Sequence, residues 1–503
     1  MTKILSVFIC ILLNSVLTYS QVNLKLNENK QGIFSKKSDR TLLSKRSFSD
    51  DRNFNIKGPF NSSGNFSEKK TDTVKYHRFY PEFNKKSSLL LPMAEVAGLN
   101  IALSLFNNYV GDADYAKISF KSVRHNLDTG FVWDDDVFVV NQFGHPFHGS
   151  IYFNAARSNG YSYWESIPFA FGGSLMWEMF METDPPQTND IIQTTLGGTM
   201  MGEMTYRITS LILDESKTGT ERIFREAISA IINPARGFNR LLRGDFFRKT
   251  SKNVNDVFPV VSRLNAGYAG INPSSSVNFD KSHFMVEYLL TYGKEVGKQK
   301  IHPFEFFRVR AGFDAGKGDN PSTWISAYGL IYGKNILDRK KMESLVFGVF
   351  HDYDYYYNTI IKLGTQSLGI GLIYNTPETK KFRMIGSLHN NFVALGAINS
   401  IYRKGPNRNY DYTIGNKTML EFGASYSRLK FILEYRFYYL YTVNGFPGHS
   451  NFGVFNPKLL VDIYKGIGIG AEYLFYHRSG VFEGVADYNK KISEQRLYLS
   501  YLF

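Results

Sequence analysis

Cysteine occurs once in the 503-residue chain, at Cys10, and that position lies in a stretch expected to be removed on export. The mature chain then has no thiol, which excludes disulfides and cysteine nucleophiles. Long apolar runs are missing too. None of the helical segments read below holds 18 consecutive apolar residues, so none qualifies as a membrane-spanning helix on that count. A Gly-rich phosphate loop, a nucleophile elbow and an HExxH helix are also absent. Trp133-Asp134-Asp135-Asp136 lacks the Asp/Asn-Gly spacing and terminal Glu of an EF-hand, and reads as a turn with solvated charge.

The chain begins Met-Thr-Lys3, then an apolar run from Ile4 to Leu17, then Thr18-Tyr19-Ser20. A basic start, a short apolar core and small residues predict a secretory signal over residues 1–20, cleaved after Ser20. Cys10 does not suit a lipoprotein signal, because Phe8 and Ile9 before it are bulky. Formal net charge is +14, which favours phosphates or anionic lipids. Much of it is local: residues 21–75 hold Lys36-Lys37, Arg40, Lys45-Arg46 and Lys69-Lys70 and read as a disordered polar linker. Nucleic acid is not expected as a partner of an exported protein.

Aromatics are abundant, at 16% of the chain with 33 Tyr and 42 Phe, more than a soluble core needs and suited to membrane interfaces. From about residue 257 onward short runs alternate at period two. In the clearest, Leu429, Phe431, Leu433, Tyr435, Phe437, Tyr439 and Tyr441 share one face, with Lys430, Glu434 and Arg436 on the other. Runs around Phe284, Phe307, Leu420 and Ile467 repeat the scheme, with Glu287, Arg308 and Arg310, Glu421, and Glu472 opposite the apolar face. Alternation alone also fits a soluble sandwich. The aromatic load, the export signal and the terminal strand Leu497–Phe503 favour an outer-membrane barrel with an apolar outside and a polar lumen. About 12 strands are expected over residues 251–503, with Arg308, Arg310, Lys430, Glu434, Arg436 and Glu472 lining the lumen. Outer-membrane lipid is the expected environment, and the strand ending at Phe503 is expected to engage the barrel-assembly machinery.

Residues 76–250 differ. Helical periodicity fits Pro92–Val110, His145–Asn159, Glu165–Thr183, Asn189–Leu213 and Glu221–Ile232. Within the fourth, Thr195, Gly198, Gly202 and Thr205 form a small-residue face for close helix packing. On the second, His145, His148 and Tyr152 project to one side, and Ser150, Asn154 and Arg157 to the other. A His–Ser pair inside that helix is therefore poor geometry, and partners must come from neighbours. Glu165, Glu178, Glu182, Asp190, Glu203 and Arg207 are the candidates. Carboxylates beside a histidine can run acid–base chemistry or bind a metal; equally, buried helices need paired charges, as Glu203–Arg207 or Arg157 with a nearby Glu. His145-x-x-His148 by itself is a weak zinc signal, and no metal or other cofactor is expected.

Several segments here, His145-Pro-Phe-His-Gly-Ser150, Tyr152–Gly160, Trp164-Glu165-Ser166, Phe171–Glu178, Glu182–Pro186 with Asn189-Asp190, Gly197-Gly198 with Gly202-Glu203, and Asn233–Arg240, resemble an uncharacterised family of Gram-negative envelope proteins, a domain of unknown function (family 3943). The resemblance runs from Trp133 to about Phe246. It implies a recurring helical module and brings no assigned activity.

The fold class expected is therefore mixed α+β: a C-terminal antiparallel transmembrane barrel preceded by a helical domain packed in the barrel or at its mouth. The function expected is binding or passage of a small or lipidic molecule, with the helices as a plug. The alternative is a lipid- or lipopolysaccharide-modifying barrel enzyme using His145, His148, Ser150 and Glu165 or Glu178.

Overall fold

Period-two runs form the twelve strands of a closed antiparallel barrel, in which each strand pairs with its sequence neighbours and the last pairs with the first. They are β1 (Val260–Asn272), β2 (Ser282–Tyr292), β3 (Phe307–Ala315), β4 (Ser322–Asn335), β5 (Ser344–Tyr357) and β6 (Lys362–Asn375). The ring continues through β7 (Phe382–Asn399), β8 (Tyr410–Tyr426), β9 (Leu429–Asn444), β10 (Gly448–Tyr464), β11 (Ile467–Phe482) and β12 (Tyr488–Leu502). Closure is made by β1 against β12, with Ala266 opposite Leu499 and Arg263 opposite Leu502. This leaves no unpaired edge in the sheet. The computed structural model describes residues 86–251, 253 and 260–503 apart from the short stretches 273–281, 294–301, 317–320, 338–343, 359, 377–381, 404 and 406. The expected signal sequence and linker lie outside the described residues.

The inward face is identified by contacts that cross the barrel. Arg310 on β3 donates to Glu434 on β9 at 2.8 Å and to Glu472 on β11 at 3.2 Å, and also bonds Glu287 on β2. Lys458 joins Glu434 at 2.6 Å, and Arg308 reaches Glu421 at 3.0 Å. Apolar side chains lie to both sides of this charged layer. Leu363, Ile398, Tyr438, Phe452 and Tyr476 form one cluster, and Phe306, Leu330, Val346, Phe350 and Met419 the other. A cavity of about 220 Å³ remains beside Arg308, Glu421 and Arg436.

Helices precede the barrel: α1 (Leu90–Tyr109), α2 (Phe120–Thr129), α3 (His145–Arg157), α4 (Tyr163–Phe180), α5 (Thr188–Ile192), α6 (Gly198–Ile212), α7 (Gly219–Ile232) and α8 (Pro234–Leu242). Six follow the periodicity of the sequence, α5 and α6 being the two parts of the fourth expected helix; α2 and α8 have no counterpart among the expected helices. Single π-helical turns, Val140–Gly144 and Gln193–Gly197, lead into α3 and join α5 to α6. Proline sits in the first turn of α1, as its missing N–H allows. By length and composition α1 is apolar enough to cross a membrane, although it contains no run of 18 consecutive apolar residues.

The helices dock on the outside of the barrel wall and reach its rim, where a place in the barrel or at its mouth was expected. Register decides the point. Asp354 faces inward, bonded to Ser326 and Lys417, so its neighbours Tyr353 and Tyr355 face outward. Tyr353 donates to the Gln142 carbonyl at 2.6 Å, and the Tyr355 ring lies 5.8 Å from Phe138 and 5.9 Å from Phe143. Tyr410, Tyr412 and Gly364 belong to the same outward set and meet Asn141 and Gln142. Burial agrees: β11 alternates exposed and buried, whereas β5 is buried on both faces from Phe350 to Tyr355. The helical unit also touches the rims, where Arg408 donates to the Asp134 carbonyl and Arg207 to the Pro303 carbonyl. The opposite wall is left bare, with Tyr439, Leu459, Ile469, Leu497 and Leu499 exposed.

Candidate functional site

Two crossings organise the helical unit. Where α3 meets α6, Gly149 and Gly198 touch backbone to backbone: a Cβ on Gly198 would stand 2.4 Å from the Gly149 carbonyl carbon. The two π turns bracket this contact, one just before His145 and one just before Gly198. A π turn inserts a residue into the helical register and is frequent at functional sites. Where α3 meets α4, His148 packs its ring against Tyr152 and Trp177 at 4.5 and 5.4 Å.

At one end of the unit the polar groups are consumed by ion pairs. Glu203 is buried and accepts from Arg157 Nε at 2.7 Å and Arg207 Nε at 2.8 Å. Asn154 bonds the Gly202 carbonyl at 3.1 Å. Arg240, from α8, joins Glu215 at 2.8 Å and Glu226 at 2.9 Å. Ser150 donates to the Phe147 carbonyl in its own helix at 2.6 Å, and no histidine or carboxylate bonds its hydroxyl among the described residues. Glu165 is the N3 residue of a capping box with Ser162 and pairs with Lys86 at the surface. The hydrogen bond from Lys86, with those from Ser162, holds its carboxyl down at about 2. It stands apart from the histidines, as a cap.

At the other end His145, Glu178 and Asp190 converge. His145 Nε2 is 3.2 Å from Asp190 Oδ1, and its Nδ1 is 3.3 Å from Thr194 Oγ1. Glu178 and Asp190 are buried, and one ligating atom from each of the three residues lies within 4.8 Å of the others. Pro185-Pro186 turn the chain after α4, so that Asp190 on α5 returns to Glu178. The Gln187 N–H donates to Glu178 Oε2 at 3.0 Å and Asn189 Nδ2 to Asp190 Oδ1 at 2.6 Å. Burial pushes both carboxyls well above their ordinary range. It pushes Glu182, whose partner is the Trp177 indole, up to about 8. The same burial lowers His145 to about 3, with His148 adding to it, and His148 to about 4.

Sequence reasoning missed the layer that joins this cluster to the barrel. Asn141 bonds Asp134 and lies 2.7 and 2.9 Å from the Tyr410 and Tyr412 hydroxyls, while Gln193 donates to Gln142 at 2.9 Å. Asp134, read as part of a solvated turn, is buried, and its backbone N–H donates to Asn189 at 3.0 Å, while Asp135 and Asp136 are exposed. Asn141 and Gln142 carried no spacing signal for the barrel, because their partners there lie more than two hundred residues away. Arg308, Arg310, Glu434, Arg436 and Glu472 meet in the barrel interior, and Lys430 pairs with Asp462 at 2.5 Å beyond them.

No curated protein matches the chain. Solved structures similar to part of it include an anion-selective porin from Comamonas acidovorans (8% identity, 49% of this chain and 99% of the other, TM-score 0.23). The outer membrane channel DcaP of Acinetobacter baumannii matches at 9% identity over 49% of this chain and 96% of the other, TM-score 0.20. The toluene transporter TodX of Pseudomonas putida matches at 8% over 48% and 89%, TM-score 0.20. Likeness at this level carries no functional weight, and the barrel assignment rests on its own strand pairing and apolar outer band. The family described as a domain of unknown function (DUF3943) matches residues 130–235, which hold every member of the His145 cluster. The chain therefore carries a DUF3943 domain followed by a twelve-stranded barrel of the outer-membrane type.

Proposed function

We propose that this outer-membrane protein binds or modifies a lipidic molecule at the seam between its helical unit and the barrel wall, and that its lumen is not a passage. The observation that carries the reading is a contrast in how charge is spent. Lumen charges are locked together across the barrel through Arg310, whereas the carboxylates beside His145 have no lysine or arginine partner among the described residues. Ionisable groups held in an apolar, membrane-side setting mark function more often than scaffolding. His145 is the accessible member, with 14% of its side chain exposed against 1% for Asp190. The unit's outer surface suits acyl chains: Leu90, Ile101, Leu105 and Phe106 on α1 and Trp164, Phe171 and Phe180 on α4 are exposed.

The test is lipid mass spectrometry of cells lacking the protein and carrying it as wild type, His145→Ala or Asp190→Asn. The reading expects an envelope lipid whose amount depends on the wild type and is lost in both variants at equal barrel content. The same lipid profile in all four strains would overturn it.

A further inference from the structure

We infer that His145, Glu178 and Asp190 form a binding site for a divalent transition-metal ion, with nitrogen and carboxylate donors of the kind that take Zn2+ or Mn2+. It deepens the reading above and rests on it only for what the ion would do, not for whether it binds. The donor atoms lie within 4.8 Å of one another. Tetrahedral ligands of a zinc ion are roughly 3.4 Å apart, from metal–ligand distances of about 2.0–2.2 Å, so small side-chain rotations close the site.

Electrostatics supplies a separate argument. Elsewhere in the helical unit three buried glutamates are neutralised by arginine: Glu203 by Arg157 and Arg207, Glu215 and Glu226 by Arg240. The chain builds such pairs readily, yet supplies none to Glu178 or Asp190. Buried carboxylates without a cation are costly, and a divalent ion offsets two of them at once. The surroundings also hold the ligands as metal sites do. Thr194 engages His145 Nδ1, leaving Nε2 toward the carboxylates, and Gln187 and Asn189 fix one oxygen of each acid. His148 is a further sign. One turn beyond His145 and packed on Trp177, next to Glu178, its Nε2 is buried without a hydrogen-bond partner. Three protein donors leave an open coordination position, the arrangement of catalytic rather than structural zinc sites.

The experiment uses full-length protein in detergent, stripped with chelator and dialysed against ZnCl2 or MnCl2 in turn, with bound metal counted by plasma mass spectrometry. Wild type is expected to retain one equivalent of at least one of the two ions. Glu178→Gln and Asp190→Asn, conservative enough to keep the helices as checked by circular dichroism, are expected to weaken binding at least tenfold. No retention of either ion by wild type, or equal retention by both folded variants, would overturn the inference. Because metal is counted and no lipid is involved, an unchanged lipid profile would sink the functional reading and leave the site standing.

Discussion

Arg240 reaches Glu215 at 2.8 Å and Glu226 at 2.9 Å with all three side chains buried. Removing the guanidinium would leave Glu226 to Arg222 alone, at 2.6 Å, and Glu215 to the more distant Arg248, at 3.8 Å, so Arg240→Ala is expected to destabilise the helical unit by up to about 3–5 kcal/mol, measured by denaturant titration followed through helical circular dichroism. Glu165→Gln removes only a surface pair and part of a cap whose Ser162 remains, and should change stability by no more than about 1 kcal/mol. A loss as large as that of Arg240→Ala would contradict the assignment of Glu165 as a cap. The Glu203–Arg207 pair could be read from its i,i+4 spacing. The approach of Asp190 to His145 could not, because the whole of α4 and the Pro185-Pro186 turn separate them and no helical wheel spans either.

Among the elements, α3 and α6 depend on having no side chain where they cross. A Cβ on Gly149 would stand 1.8 Å from the Thr194 carbonyl oxygen, and one on Gly202 would meet the Phe153 ring at 2.6 Å. Gly149→Val should therefore force the helices apart, costing roughly 1–3 kcal/mol or more as overpacking does, and should make α3 and α6 cleavable by protease while the barrel stays intact. Protease resistance equal to wild type would rule out the close crossing. The small-residue face containing Gly198 and Gly202 was visible in the sequence, since only close packing asks for small residues at that spacing. The docking face was not. Tyr353, Tyr355, Tyr410 and Tyr412 sit on outward positions of β5 and β8, where lipid and a packed helix ask for the same residue types. Alternation therefore reports inward against outward and is silent on what lies outside.

For the molecule as a whole, strand number and lumen polarity follow from charges placed opposite aromatics, while closure of the lumen needed the cross-barrel partners of Arg310 to be seen. A lumen crossed by these ion pairs and flanked by apolar clusters is expected to pass no ions. Purified protein in planar bilayers should show no steps above background, and regular steps blocked by nothing in the helical unit would return the function to the lumen. The central claim, that the helices dock on the outer wall, can be tested through the absence of thiols after Cys10. A Cβ built on Gly364 lies 2.7 Å from Gln142 Cγ, so the two Cβ atoms are no more than about 4.2 Å apart, inside the span of a disulfide. Gln142→Cys with Gly364→Cys should form a disulfide under mild oxidation, while Gln142→Cys with the inward-facing Thr365→Cys should not. Bonding of the second pair in preference to the first would put the helices inside the barrel and contradict the account.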